Sequence, residues 1–243
     1  MRNIVKKRIT LLLAVLLAVA IISPGCIPAR VTGSGNVVSW TYNLVDFTKL
    51  RISYGFMAEV KASSGYNTEV TADDNLFNYI NVKKDGDTLS ISLKAGSYER
   101  SQLTATIMMP VLHSIELYDG VRTNINGFTS SNDLSIKLSD GTRLSGTLTA
   151  GNVDIALTDG SRVELEGSAR DIKIISHDGS QADLSKFTVV NTDLNIGDGG
   201  TVNINVTGTL NANLSAGSHV TYIGNPTMGN IKLSSGATLN KTD

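Results

Sequence analysis

Hydrophobic and polar residues alternate along most of the chain, and from residue 113 onward this alternation is organised into repeats. Each repeat places apolar residues at alternate positions on both sides of a two-residue turn that contains glycine, and the turn recurs after 18 to 21 residues. Period-two alternation of aliphatic and β-branched residues between glycine turns is typical of β-strands, and no helical period competes with it. Repeats this short predict a solenoid built of strands.

The turns define which residues are equivalent from one repeat to the next. They are Asp119-Gly120, Asp140-Gly141, Asp159-Gly160, Asp178-Gly179, Asp198-Gly199, Ala216-Gly217 and Ser235-Gly236. The residues four before each turn are Ile115, Ile136, Ile155, Ile174, Leu194, Ala212 and Ile231. Coils stacked about 4.8 Å apart place such equivalent residues over one another, and we call each such set a column. This column is predicted to face inward. The chain is therefore predicted to be all-β, with a right-handed parallel β-helix, since parallel crossovers overwhelmingly take that hand.

Residues 36–112 are also rich in predicted strands but lack the repeated turn. Strands are expected at 37–42, 49–52, 57–62, 68–72, 80–83, 88–93 and 103–109. Asp85-Gly86 marks a tight hairpin between two of them. We expect this segment to be an irregular, partly antiparallel β region that caps the solenoid of residues 113–243.

The first 25 residues have the pattern of a signal peptide. Four basic residues within the first eight precede an apolar run over 9–22, which is shorter than a transmembrane helix requires. Cys26, the only cysteine in the sequence, follows directly after a glycine. This arrangement predicts acylation of the thiol, with residues 26–35 as a linker; the alternative is an ordinary signal peptide with an incidental cysteine. The protein is thus predicted to be exported and lipid-anchored at the cell membrane or outer envelope.

Charge narrows the range of partners. Removal of the first 25 residues takes away four cations and no anions, which leaves 17 basic and 22 acidic residues. This balance argues against a nucleic-acid partner and against a polybasic membrane patch. Membrane contact is expected through the lipid on Cys26, and the expected partner is a surface protein or a glycan whose identity the sequence leaves open.

Several phrases of the N-terminal half occur in an order that resembles a known family. They are Gly33-Ser34-Gly35-Asn36-Val37-Val38, Phe47-Thr48-Lys49-Leu50-Arg51-Ile52, Val70-Thr71-Ala72-Asp73-Asp74-Asn75-Leu76 and Asp87-Thr88-Leu89-Ser90-Ile91. Over about residues 31–237 the chain resembles the head GIN domain of putative auto-transporter adhesins. The resemblance implies a β-helical surface protein of a kind often found among small bacterial lipoproteins, and it implies no catalytic residue. This chain has Asp-Gly where members commonly repeat Ser-Gly-Ser-Gly.

The five Asp-Gly turns are predicted to stack into a turn ladder that lines up five carboxylates. Neighbours about 5 Å apart repel by roughly 0.8 kcal/mol in water. Three residues after the first three aspartates come Arg122, Arg143 and Arg162, a predicted cation ladder that would neutralise them. Asp178 and Asp198 lack such an arginine and are candidates for a weak Ca²⁺ site. We favour the alternative that no metal is bound, that each aspartate bonds its own turn backbone and that the glycine takes the positive φ.

No catalytic residue and no cofactor are expected. Glu164, Glu166 and Asp171 would serve as acid and base only in a cleft, and coils of 18–21 residues leave no chain for the long loops that build one. The three histidines, His113, His177 and His219, fall at different phases of the repeat. We therefore predict a non-enzymatic, monomeric protein for adhesion or protein interaction. The alternatives are a carbohydrate-binding or polysaccharide-cleaving β-helix enzyme and a structural protein that polymerises end to end.

Overall fold

The computed structural model describes residues 30–99 and 101–242, so Cys26 and the predicted signal peptide lie outside the described residues. The strands are β1 (Arg30–Thr32), β2 (Val37–Tyr42), β3 (Lys49–Ile52), β4 (Met57–Ala62), β5 (Asn67–Asp73), β6 (Ile80–Asp85), β7 (Thr88–Leu93), β8 (Ser97–Glu99), β9 (Leu103–Met109), β10 (Ser114–Leu117), β11 (Arg122–Thr129), β12 (Leu134–Leu138), β13 (Arg143–Leu157), β14 (Arg162–Ser176), β15 (Gln181–Ile196), β16 (Thr201–Val206), β17 (Thr209–Leu214), β18 (His219–Ile223), β19 (Thr227–Leu233) and β20 (Thr238–Lys241). A 3₁₀ turn spans Asp74–Leu76, and no helix among these residues is long and apolar enough to cross a membrane.

The strands predicted for the N-terminal half are confirmed. β2, β3, β4, β7 and β9 have the predicted bounds, while β5 and β6 run one or two residues further. The alternation that predicted them is visible in the burial of β9, where Leu103, Ala105, Ile107 and Met109 point inward and the residues between them are half-buried.

The repeat region is a parallel β-solenoid of about six turns, as predicted. Ile136 pairs with Ile155 on the next coil, and Ile155 pairs with Ile174 on the one after it. The column continues through Leu194 and Ala212 to Ile231, and its members are buried as far as Ala212. Each inward side chain is therefore covered by its equivalents above and below.

Three strands are long because they bend around a corner of the coil. β13, β14 and β15 run for 15 or 16 residues, so a single strand supplies two faces. The pairing of β14 with β15 shifts register between Glu164 and Gly167. Gly167 has a φ of 122°, and a β-carbon there would lie 1.9 Å from the carbonyl oxygen of Leu148. The corner thus requires glycine, because any side chain would push two coils apart.

Parallel stacking continues below the repeats into the N-terminal half. β3 pairs in parallel with β10 on one side and β7 on the other, and β4 pairs likewise with β11 and β9. Antiparallel strands complete this end: β6 pairs with β7, β5 with β9, and β2 with β5. The expected mixture of parallel and antiparallel pairing is confirmed.

The opposite end of the described chain is formed by β19 and β20. Met228 and Leu233 on β19 are 45% and 49% exposed, in contrast to the buried residues of the preceding coil. Lys241 donates a hydrogen bond from Nζ to Oδ1 of Asn225 at 2.7 Å. The last coil therefore presents two exposed apolar side chains, and its lysine is bound to Asn225.

An ion ladder outside the core joins three consecutive coils. Arg51, Glu116 and Lys137 occupy paired positions on β3, β10 and β12, and Glu116 lies 2.8 Å from Arg51 and 3.6 Å from Lys137. The Tyr118 hydroxyl also donates to Glu116, at 3.1 Å. Burial raises the pKa of the Glu116 carboxyl, but the hydrogen bond and charge of Arg51, with the help of Tyr118 and Lys137, outweigh burial and lower it.

We expect the substitution Ile155→Asp to prevent folding or to lower stability by about 4 kcal/mol or more, because it buries an unpaired charge between two coils. Ile155 is 2% exposed, whereas its neighbour Asp154 points to solvent. Asp154→Asn is the matched control and should change the free energy of unfolding by less than about 0.5 kcal/mol. Thermal unfolding followed by circular dichroism compares the two variants. Equal effects would mean that the assigned strand phase is wrong.

We expect Glu116→Gln to lower the free energy of unfolding at neutral pH by about 1 kcal/mol, since charged hydrogen bonds are lost. A carboxyl whose pKa is lowered by folding stabilises the protein above its unfolded pKa of about 4.3, and this contribution is lost as the pH falls through the folded pKa. The difference between wild type and variant should therefore shrink in acid, as measured by urea unfolding across this pH range. Asp154→Asn, at an exposed carboxylate, is the control, and a pH-independent difference for Glu116→Gln would contradict the role of charge.

Candidate interaction surface

One edge of the solenoid consists of two-residue turns stacked on one another. In each turn both residues have positive φ, as at Asp159 (55°) and Gly160 (66°), which is the pattern of a type I′ turn. Asp and Asn tolerate this conformation better than other residues with a side chain. The glycine takes the positive φ as expected, but the aspartate takes it as well, so Asp is placed here by its own backbone preference.

The stack has a member that the sequence did not reveal. Tyr54 and Gly55 have φ values of 66° and 69°, and the Gly55 amide donates to the Asp119 carbonyl at 2.9 Å. The same bond links each later glycine to the first turn residue of the next coil, for example Gly120 to Asp140 at 2.9 Å. In the sequence only Gly55 indicated a turn here, since tyrosine is unusual at positive φ.

The turn aspartates use their backbone carbonyls, and not their carboxylates, to bind the neighbouring turn. Ser139 donates to the carboxylate of Asp140, and the Asp198 carboxylate lies 3.6 Å from Nδ1 of His177. Within the described residues, the carboxylates of Asp119, Asp159 and Asp178 form no hydrogen bond to the turn backbone, contrary to expectation. These side chains project from the edge into solvent.

The three arginines of the predicted cation ladder do stack in register. Arg122 pairs with Arg143, and Arg143 with Arg162, on β11, β13 and β14. None of them forms an ion pair with a turn aspartate in the described chain, so the expected neutralisation is not found. Arg162 instead lies 3.9 Å from Glu164 and donates to Gln181 at 3.3 Å. The turn separates the two columns because aspartate lies on the corner and arginine begins the following strand.

The arginine column lines a shallow depression of about 470 Å³. Met57 lies at its lower end and is 54% exposed, while Asn124, Ser145 and Glu164 form the adjacent column. The turn aspartates do not line it. This depression therefore combines stacked cations with amide and hydroxyl groups and, beside Arg162, one carboxylate on a flat strand face.

The carboxylates considered for catalysis are held by neighbouring side chains. Glu166 lies 2.8 Å from Nζ of Lys186, and Asp171 accepts hydrogen bonds from Asn191 at 2.8 Å and from Arg170 at 3.0 Å. The hydrogen bond of Asn191, followed by that of Arg170, lowers the pKa of Asp171. A general acid at neutral pH needs a raised pKa, so Asp171 is unsuited to that role.

Another face carries ladders of asparagine. The Asn211 side chain donates to Asp193 at 2.8 Å, that of Asn213 donates to Asn195 at 3.0 Å, and Oδ1 of Asn211 accepts from the backbone N–H of Asn230 at 2.9 Å. These side chains thus bond to groups on adjacent coils. Much of this polar face therefore stabilises the stack and presents a regular, flat surface.

The histidines and the candidate calcium residues do not converge. His177 lies at a turn and His219 donates to or accepts from Thr238 at 2.8 Å, while His113 is exposed. Among the residues that the structure describes, no group of three or more His, Cys, Asp or Glu side chains is arranged to hold a metal ion. Asp178 and Asp198 are successive rungs of the turn edge and offer oxygens from one side only.

A parallel β-solenoid with short turns and flat polar faces defines the class of this protein. The family model described as "putative auto-transporter adhesin, head GIN domain" matches residues 46–226. The chain belongs to this family, which the resemblance in the sequence had indicated. No curated protein sequence matches the chain.

Solved structures share the fold at low sequence identity. A putative adhesin from Bacteroides fragilis is 18% identical, with a TM-score of 0.80 over 87% of this chain and 100% of that one. A putative lipid binding protein from Parabacteroides distasonis is 18% identical, with a TM-score of 0.69 over 88% of this chain and 100% of that one. A putative adhesin from Parabacteroides merdae is 14% identical, with a TM-score of 0.66 over 88% and 99% of the two chains.

We expect Asp178→Asn to raise the free energy of unfolding by about 0.5 kcal/mol, because it relieves repulsion from Asp159 and Asp198 while keeping a residue that tolerates positive φ. Asp178→Ala should instead lower it by about 1 kcal/mol, since alanine disfavours this conformation. A chelator should leave the melting temperature unchanged. If a chelator lowers the melting temperature and Asp178→Asn reproduces that loss, the turn edge is a metal site.

Proposed function

We propose that this protein is a non-enzymatic adhesion module, exported and lipid-anchored through Cys26, that binds a surface protein or glycan along the faces of its solenoid. The observation that carries this proposal is the in-register stacking of polar columns on flat faces. A ligand with a repeating structure can then make the same weak contact on successive coils, and several such contacts sum to useful avidity.

Two further observations support a binding role over catalysis. Turns of two residues join the strands at the stacked edge, so no long loops rise from it to build a cleft. The carboxylates that would serve as acid and base lie in ion pairs on open strand faces. The family description and two of the solved structures above carry the word adhesin, in agreement with this role.

The proposed anchoring is supported by the sequence of the N-terminal segment. A basic and apolar leader ends at the sole thiol of the chain, and the first described strand begins four residues after it. A lipid on Cys26 would hold the N-terminal end of the solenoid near the membrane and leave its faces open to solvent. We propose that the anchored chain acts as a monomer.

Bacteria that produce the wild-type protein should retain it in the membrane fraction, incorporate a fatty-acid analogue into it, and adhere to an envelope-coated surface better than cells that lack it. In Cys26→Ser the protein should become soluble and unlabelled, and the cells should lose this adhesion because the module is no longer attached to them. Ser23→Ala, which keeps the thiol, is the matched control.

Two results would contradict the proposal separately. Membrane association that persists in Cys26→Ser would exclude the lipid anchor. Equal adhesion of cells with and without the wild-type protein, with the protein present at the surface, would exclude the adhesion role.

A further inference from the structure

The arginines of the described chain divide into two groups. Arg51 and Arg170 lie 2.8 and 3.0 Å from a carboxylate, and Arg30 pairs closely with Glu99. The stacked arginines differ. Arg122 and Arg143 form no ion pair with the residues that the structure describes, and Arg162 has only the 3.9 Å approach of Glu164. The guanidinium groups that remain available to a ligand are thus those that share one column.

Stacking three like charges on consecutive coils works against folding. Their backbones are paired directly, so the side chains start about 4.8 Å apart and repel one another. The turn aspartates lie around the corner and do not line the depression that the arginines share. A ligand that brings several anions at this interval would relieve the repulsion and gain charge-assisted hydrogen bonds, which arginine can form in pairs to a single carboxylate.

The rest of the depression indicates what kind of anion fits. Asn124 and Ser145 supply amide and hydroxyl groups beside the arginines, and Asn124 donates to the Ser145 hydroxyl at 3.1 Å. Met57 offers an exposed apolar contact at the lower end. Groups that bond hydroxyls, together with an apolar contact and cations, suit a sugar ring that carries a carboxylate.

We propose that the column of Arg122, Arg143 and Arg162 binds a linear acidic polysaccharide that carries one carboxylate per sugar ring. This inference rests on the proposed adhesion function and assigns the chemical class of its ligand. Every ring of such a polymer carries an anion, so a chain that runs along the solenoid axis can bring carboxylates to successive arginines, which lie on coils about 4.8 Å apart.

Other polyanions fit this surface less well. Alternate side chains of an extended acidic peptide are about 6.6 Å apart, so they fall out of step with the coils. Single-stranded nucleic acid is usually held by aromatic side chains that stack on the bases, and none of the described residues that line this depression is aromatic. A row of carboxylates on rings that also carry hydroxyl groups, which Asn124 and Ser145 can bind, therefore favours the uronate polymer.

The test measures binding of the purified protein to polygalacturonate at low and high salt, with neutral dextran, polyglutamate and single-stranded DNA as comparisons. Wild type should prefer polygalacturonate over all three, and salt should weaken binding. The triple variant Arg122→Gln, Arg143→Gln, Arg162→Gln should lose about tenfold or more in affinity, as expected for three exposed charge pairs. Arginine-to-lysine changes at these positions should retain part of the binding, since the charge remains and the paired hydrogen bonds are lost.

The matched control removes three exposed cations elsewhere, in Lys83→Gln, Lys84→Gln, Lys232→Gln, and should change the affinity by less than about twofold. The melting temperature of the arginine variant must equal or exceed that of wild type, because the variant removes the repulsion between the three guanidinium groups. An equal loss in the lysine control would overturn the assignment of the site, and equal binding of polyglutamate or DNA would overturn the sugar class.

The outcome is separable from that of the adhesion experiment. A protein that adheres to envelope-coated surfaces but does not bind polygalacturonate keeps the proposed function and loses this inference. A protein that binds polygalacturonate through the three arginines, while cells gain no adhesion from it, keeps the site and loses the adhesion role.

Discussion

Exact register between successive coils is the constraint on which this structure depends. A residue such as Ile155 is buried because Ile136 lies below it and Ile174 above it, and a one-residue slip would turn the whole column to solvent. The turn edge maintains this register, since each glycine amide bonds the carbonyl of the next turn. Corners such as Gly167, where there is no room for a side chain, keep the coils in contact.

The same register determines which polar side chains bond to a neighbouring coil. Where unlike groups stack, they form bonds between coils, as in the ladder of Arg51, Glu116 and Lys137 and in the asparagine ladders. Where like charges stack, as in the arginine column, the side chains of neighbouring coils cannot pair with one another. The polar contacts on the surface of this solenoid therefore depend on which residues are stacked in each column. Columns whose charged groups lack partners are the places where we expect a ligand.

The fold was largely predictable because the repeat makes burial periodic. The interval between turns located the Ile155 column, and period-two alternation located strands such as β9. The turn at Tyr54 escaped prediction because strands β5 to β9 separate it from the next turn at Asp119, so that no regular interval exists there. Tyrosine at positive φ gives no recognisable motif.

The surface was less predictable than the core. A separation of three residues suggested that Arg122 would reach Asp119, yet the tight turn places the aspartate on the corner and the arginine on the next face. Sequence separation alone does not state on which side of a corner a side chain emerges. The stacking of the arginines with one another follows from the repeat, whereas their lack of ionic partners required coordinates.

Because the hydrogen bonds between coils run along the solenoid axis, the molecule has one mechanically weak direction. Tension applied along that axis, between the proposed lipid anchor at one end and a ligand attached near the other, would pull directly against the bonds that join neighbouring coils. A coil of roughly 20 residues that detaches can extend to about 65 Å, against a folded rise of about 4.8 Å. The extended length of one detached coil is thus more than ten times its folded height, while the remaining coils stay intact. The repeat could therefore yield to force one coil at a time.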